Sequence, residues 1–127
     1  MPTEKKQIFI VDDDESVCRA LSILLGTYGF NVDTFTSAIK FLSVVPDSVP
    51  GCLVLDTHMP MMDGWQVLER LLLLECRLPF IIISADKNGG IKEKALKAGA
   101  VGILQKPFND QELINLISIA FEKKEKV

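Results

Sequence analysis

The chain has 127 residues, 48% of them hydrophobic and 24% charged, with a formal net charge of -3. That length suits one domain with a buried core, and that hydrophobic share excludes a disordered chain. The charges form no basic patch of the kind that marks a nucleic-acid surface, and no apolar run approaches the roughly 20 residues of a membrane-spanning helix.

A first strand is expected over Gln7–Val11, an apolar run that stops at Asp12-Asp13. Over residues 15–28, Val17, Leu21, Leu24 and Tyr28 recur at helical spacing, and Gly29 follows as a stop. A second strand over Asn31–Phe35 leads to a helix over residues 37–45, with Ser37 as N-cap and Pro46 as terminator. Pro50-Gly51 turns the chain into a third strand, residues 52–55, which stops at Asp56. The third helix begins near Asp63 or Gly64 and points Val67, Leu68, Leu71 and Leu72 inward. Pro79 separates it from a fourth strand, residues 80–83, which stops at Ser84. A fourth helix over Gly90–Lys97 ends at Ala98-Gly99-Ala100, and a fifth strand, residues 101–105, stops at Lys106-Pro107. The fifth helix covers residues 110–123 behind the N-cap Asn109.

Five strand–helix alternations predict an α/β fold, a doubly wound parallel sheet with helices on both faces. Strands two and three excepted, the strands are near-continuous apolar runs, as burial on both faces demands. No repeat, low-complexity segment or linker interrupts the chain, so residues 1–127 are expected to form a single domain. Cys18, Cys52 and Cys76 show no CxxC spacing and are expected as reduced thiols, the first two buried, as in a cytoplasmic protein. Lys5 and Lys6 precede too short an apolar run for a signal peptide. Helix five carries Leu113, Ile114, Leu116, Ile117, Ile119, Ala120 and Phe121, more than one buried stripe needs. Two readings stand: a wide core-facing side, or a partner surface.

Parallel strands place their carboxyl ends on one sheet edge, so Asp12, Asp13, Asp56, Ser84 and Lys106 would converge there. Crowded carboxylates raise one another's pKa unless a cation sits among them, which suits a hard divalent ion and phosphoryl chemistry. Each residue also has a plainer reading. Asp12-Asp13-Asp14-Glu15 can be an acidic first turn favoured by the helix dipole. That fits Asp14 and Glu15, but not the two residues that leave a buried strand directly. Asp56 alone can be a turn residue, Lys106 an exposed strand-end lysine, and Ser84 alone carries little. Their joint occurrence at four strand ends is what points to a site.

The motifs Val11-Asp12-Asp13, Leu55-Asp56-x-x-Met59-Pro60-x-Met62-Asp63-Gly64, Ser84-Ala85, Ala98-Gly99-Ala100 and Lys106-Pro107-Phe108 span nearly the whole chain. In this order they resemble the receiver domains of two-component response regulators. Thr34-Phe35-Thr36-Ser37-Ala38 and Pro50-Gly51-Cys52-Leu53-Val54-Leu55-Asp56 further resemble FixJ-like receivers, usually fused to a helix-turn-helix DNA-binding domain. The resemblance implies a CheY-like, flavodoxin-like (βα)5 fold with strand order 2-1-3-4-5. It implies a signalling module that catalyses only its own phosphorylation and dephosphorylation, served by a sensor histidine kinase and controlling an output such as transcription. Asp56 would be the phosphoacceptor, its carboxylate attacking phosphorus. Lys106 and Ser84 would each meet a phosphoryl oxygen. Asp13, Asp56 and the backbone carbonyl of His58 would hold Mg²⁺, with Asp12 holding a metal-bound water or joining the ligand set. For His58, the sole histidine, the backbone is favoured over the imidazole, whose side chain could tune loss of the phosphate. The Lys106-Pro107 bond is expected to be cis.

Helix four, strand five and helix five are the implied output or homodimer face, while the chain itself is expected to bind no nucleic acid and no membrane. Where the family carries an aromatic residue on strand five, this chain has Ile103, which is stiff at χ1 and offers no ring to rotate. The signal is therefore expected to travel through the loop over residues 86–90 and helix four. The chain ends soon after helix five, without room for a DNA-binding domain, which fits a stand-alone regulator or the receiver of a longer transcription factor.

An enzymatic alternative is a small haloacid-dehalogenase-like phosphohydrolase with Asp12 as nucleophile, from Asp12-x-Asp14, Ser16, Ser84 and Lys106. Against it stand the short chain, the missing later acidic pair and an Asp56 without a task. A flavin-binding flavodoxin would need a phosphate loop after strand one, where three aspartates repel phosphate. A degenerate, scaffold-only receiver is disfavoured by the intact acidic and lysine positions.

Overall fold

The computed structural model describes residues 6–44, 51–59, 61–85 and 90–125. Ten elements alternate along it: β1 (Gln7–Val11), α1 (Glu15–Thr27), β2 (Asn31–Phe35), α2 (Ala38–Val44), β3 (Gly51–Asp56), α3 (Gly64–Leu73), β4 (Phe80–Ser84), α4 (Gly90–Lys97), β5 (Gly102–Gln105) and α5 (Asp110–Glu125). Every pairing in the sheet is parallel, and the strand order is β2-β1-β3-β4-β5. The expected ends at Val45-Pro46, the Pro50 turn, Pro60 and residues 86–89 lie outside the described residues.

Alternation along the strands builds two cores. Ile8, Ile10, Cys52, Val54, Ile81, Ile83 and Leu104 pack with α1 and α5. Phe9, Val11, Leu53, Leu55 and Ile82 pack with α2, α3 and α4. The register keeps each set in line, with Ile8 beside Cys52, Ile10 beside Val54 and Val54 beside Ile81. Crossovers of one hand explain the division of the helices. A connection that moves one way along the sheet covers one face, and a connection that moves back covers the other. The chain steps from β1 to β2 in one direction and from β2 through β3 and β4 to β5 in the other, so α1 is separated from α2, α3 and α4. Each fully buried Leu, Ile or Val contributes about 1.5–3 kcal/mol, and most of that lies in β1, β3 and β4.

Burial corrects three expectations and decides between the two readings of helix five. β3 is buried along its whole length, because it sits at the centre of the sheet, whereas the edge strand β2 is half exposed. On α1 the inward positions are Cys18, Leu21 and Leu25, while Tyr28 is 52% exposed at the C-cap, where the helix has ended. On α3, Val67 and Leu71 face the core but Leu72 is 79% exposed, one residue further round the helix. Of the α5 apolar set, Leu113, Ile114, Ile117, Ala120 and Phe121 are buried and only Ile119 is open to solvent. A helix that closes one face of the sheet against β3, β4 and β5 needs that width.

Three helices end alike. After α1, Gly29 (φ 89°) donates to the Gly26 carbonyl and Phe30 to Leu25; after α4, Gly99 (φ 96°) donates to Leu96 and Ala100 to Ala95. These are Schellman caps with glycine in the left-handed position. After α3 the same bonds run from Glu75 to Leu72 and from Cys76 to Leu71, yet the left-handed residue is Glu75 (φ 58°). Asn109 caps α5 as expected: its Oδ1 accepts from the Glu112 backbone N–H (2.9 Å), and Glu112 Oε1 accepts in return from the Asn109 N–H (3.4 Å). Cys18 and Cys52 are buried free thiols, and burial pushes Cys52 up to about 12.

Candidate functional site

The strand order reverses between β1 and β3, so the connections leaving these two strands diverge and open a crevice at their carboxyl ends. Val11 lies beside Leu55, which sets Asp12 against the end of β3, where Asp56 is the last residue. The ladder continues past the strands: Asp12 N–H donates to the Phe35 carbonyl (3.0 Å), Thr57 N–H to Ile83 (3.1 Å) and Lys106 N–H to Ser84 (2.8 Å). These backbone bonds hold the polar residues at fixed places on a rigid edge.

The structure brings together Asp12, Asp13, Asp56 and Lys106. One carboxylate oxygen from each of the three aspartates lies within 4.8 Å of the others. Asp12 and Asp56 are buried, while Asp13 is exposed. Lys106 Nζ is 3.2 Å from Asp12 Oδ2 and 4.0 Å from Asp56 Oδ2. Ser84 is fully buried at the end of β4, beside Gln105 in the register. The His58 side chain is exposed, and its backbone N–H donates to Asp56 Oδ1 (3.3 Å). The Lys106-Pro107 peptide bond is cis. Ile103 lies beside Ile82 and packs, partly buried, against the core under α2, α3 and α4.

Electrostatics follow from this crowding. Burial raises the Asp56 carboxyl above its ordinary value, and the neighbouring Asp12 charge adds to the rise. The Lys106 ammonium and the His58 N–H act in the opposite direction. Asp14 behaves differently, because its Oδ1 accepts from the Ser16 hydroxyl (2.6 Å) and the Ser16 N–H (2.9 Å), capping α1. Those bonds hold Asp14 below its ordinary value. Of the three aspartates in the acidic run, Asp12 and Asp13 thus join Asp56 in the cluster, while Asp14 is committed to its own helix.

Three oxygen-bearing groups crowded around a single ammonium fit a small, hard divalent cation, which takes a few carboxylates and keeps several waters. Asp12, Asp13 and Asp56 are the residues positioned to hold it. Two further residues shape the site that strand-end reasoning does not reveal. Thr57 is buried directly after Asp56, and its hydroxyl has no hydrogen-bond partner among the described residues. A threonine after an acidic strand end looks like any loop residue in sequence. Gly64 opens α3 behind the Asp63 capping box, and a Cβ there would stand 2.6 Å from the Asp56 carbonyl oxygen. The α3 N-terminus therefore rests directly on the backbone that carries Asp56.

Comparison with known proteins agrees with this geometry. Residues 8–118 match the model of the response regulator receiver domain family. The chain is 43% identical over 115 residues to the response regulator protein TodT of Pseudomonas putida, covering 91% of this chain and 51% of that protein. It is 35% identical over 123 residues to the transcriptional regulatory protein FixJ of Bradyrhizobium diazoefficiens, covering 97% of this chain and 60% of that protein. The chain thus spans little more than half the length of these relatives. Among solved structures, FixJ-N superimposes with a TM-score of 0.85 at 38% identity, covering 94% of this chain and 96% of the other. The response regulator StyR gives 0.90 at 37% identity, covering 97% and 62%. With the parallel 2-1-3-4-5 sheet and the acidic crevice at its switch point, the chain belongs to the response regulator receiver domains of two-component systems.

Proposed function

We propose that this receiver takes a phosphoryl group on Asp56 from a sensor histidine kinase, in a Mg²⁺-dependent step, and that the phosphorylated form controls an output such as transcription. The observation that carries the reading is the buried Asp56 carboxylate flanked by Asp12, Asp13 and the Lys106 ammonium. An Asp56 carboxylate oxygen forms a bond to phosphorus as the donor's phosphorus–nitrogen bond breaks, and the departing imidazole nitrogen keeps that bond's electron pair and takes a proton from solvent. Asp56, Asp13 and the His58 carbonyl would hold the cation, and Asp12 would join the ligand set or hold a metal-bound water. When bound, Mg²⁺ supplies positive charge opposite the carboxylates and the phosphoryl oxygens. Lys106 Nζ, already 4.0 Å from Asp56, balances another phosphoryl oxygen, and the Ser84 hydroxyl donates to a third. Phosphoryl transfer is mainly alignment and charge neutralisation, which these groups supply.

Residues 1–127 act in this reading as one receiver unit, whose only reactions are its own phosphorylation and dephosphorylation. The output face is α4, β5 and α5, and Ile103 replaces the usual aromatic relay there. Since most α5 apolar residues face the core, the face recognised by an output partner or second copy is mainly polar on α5. The hydrolase alternative is weakened by Asp14, which that chemistry would need as a proton donor. Its carboxylate instead caps α1 and sits below its ordinary pKa.

Incubation with Mg²⁺ and acetyl phosphate, followed by mapping of the modified residue, tests the proposal. One phosphoryl group on Asp56, absent with chelator and in Asp56→Asn, is the expected result. A phosphoryl group on Asp12, or repeated turnover of a phosphomonoester, would overturn it.

A further inference from the structure

Away from the acidic crevice, a groove of about 620 Å³ runs between α3 and α4. Trp65, Leu68, Leu72, Cys76, Pro79 and Phe80 form most of its lining. Its rim carries Arg77, Lys94 and Lys97 against a single acid, Glu69. This local excess of positive charge stands on a chain whose net charge is -3. Lys94 Nζ lies 4.4 Å over the Trp65 ring, while Arg77 and Lys97 are exposed and make no ion pair among the described residues. Leu72, which α3 was expected to bury, is 79% exposed at this groove. Side chains of that size left open beside Arg77 and Lys97, which form no ion pair among the described residues, define a concave apolar surface with a polar anchor, in the size range of small-molecule sites.

We propose that the α3–α4 groove binds a small apolar carboxylic acid, its hydrocarbon part against Trp65, Leu68, Leu72 and Phe80 and its carboxylate between Arg77 and Lys97. Charge complementarity selects this occupant. A neutral apolar molecule would leave the rim cations unanswered, and a cationic one would be repelled by them. Because Lys94 and Lys97 belong to α4 and Trp65, Leu68 and Leu72 to α3, an occupant ties the two helices together. The site shares no residue with the acidic crevice and does not depend on phosphorylation of Asp56.

Trp65 is the chain's only tryptophan, so its emission reports occupancy directly. The experiment titrates the 127-residue chain with decanoate, decanol and decylamine, matched in chain length and differing in charge. Decanoate is expected to shift Trp65 emission saturably and to bind about tenfold more tightly than decanol, a preference that shrinks as salt rises. Lys97→Glu is expected to remove that preference, and Leu72→Glu to weaken all binding about tenfold. Both positions are exposed, and far-UV circular dichroism with thermal melts checks that the variants fold; Lys97→Gln provides a milder charge change. No saturable shift, equal affinity for decanol and decanoate, or unchanged decanoate binding in folded Lys97 and Leu72 variants would overturn the proposal. Asp56→Asn is expected to bind decanoate normally, which separates failure of this site from failure of the phosphorylation reading.

Discussion

Asp56→Asn is expected to stabilise the metal-free chain at neutral pH, although it removes a group central to the proposed function. Two carboxylate neighbours approach within 4.8 Å, each repelling Asp56 by about 3.5 kcal/mol at an effective dielectric of about 20. The Lys106 ammonium at 4.0 Å offsets about 4 kcal/mol of this on the same scale. Solvent screening of the exposed Asp13 reduces the remaining repulsion, leaving about 1–2 kcal/mol. For a domain of this size that corresponds to a melting temperature higher by about 4–8 °C. The pH dependence follows from the raised Asp56 carboxyl. Its stabilising contribution is complete below its unfolded value near 3.8 and is lost as pH rises through the higher folded value. The advantage of Asp56→Asn over the native chain should therefore shrink as pH falls through that window. Saturating Mg²⁺ should reverse the order, because a cation at 100 times its Kd stabilises the native chain by about 2.7 kcal/mol and the variant has lost a ligand. Thermal melts of both chains, with chelator and with Mg²⁺, across pH 3.5–7 (a window set by about two to three units around the carboxylate range) provide the measurement. A variant that melts lower than the native chain at neutral pH without metal would refute the electrostatic account of the crevice.

Other consequences are equally direct. Lys106→Ala leaves the buried Asp12 carboxylate without its 3.2 Å partner, so stability without metal should fall by about 1–3 kcal/mol in chemical denaturation. The same variant should bind Mg²⁺ more tightly by calorimetry, because a competing cation has gone. Glu75→Gly should raise stability by about 1 kcal/mol, since Glu75 occupies the left-handed position that glycine fills after α1 and α4; an unchanged or lower melting temperature would count against the cap assignment. Gly64→Ala drives a methyl group against the Asp56 carbonyl oxygen and should cost about 1–3 kcal/mol, with slower labelling of Asp56 by acetyl phosphate in the fraction that folds.

The order of elements was legible in the sequence because its causes are local. Apolar runs of four or five residues end at Asp12, Asp56, Ser84 and Lys106, Asn109 precedes a helix as a cap, and Gly29 and Gly99 end helices as left-handed residues. A parallel sheet then forces those strand ends onto one edge, so the meeting of Asp12, Asp13 and Asp56 with Lys106 was readable before any coordinates. Which apolar residues face inward was less legible. Leu71 and Leu72 are chemically alike, and only the seating of α3 against the core of Phe9, Val11, Leu53, Leu55 and Ile82 buries the first and leaves the second exposed. The same applies to α5, whose surplus of apolar residues reads equally well as core or partner surface until its position over β3, β4 and β5 is known.

Distances and environments belong to tertiary structure alone. Asp12 and Lys106 are 94 residues apart in the chain and 3.2 Å apart in space, and no sequence pattern states which carboxylate the ammonium favours. Asp14 reads in sequence as part of an acidic first turn, and only the structure shows its carboxylate accepting from the Ser16 hydroxyl and N–H to cap α1. The orphaned Thr57 hydroxyl, the contact of Gly64 with the Asp56 carbonyl and the cation-rimmed groove between α3 and α4 each arise from separate segments meeting. Sequence by itself determined which groups reach the sheet edge, because strand polarity and periodicity are properties of neighbouring residues. The packing of helices against that sheet decided how strongly those groups interact and what other surfaces the molecule presents, because burial and charge separation are properties of residues far apart in the chain.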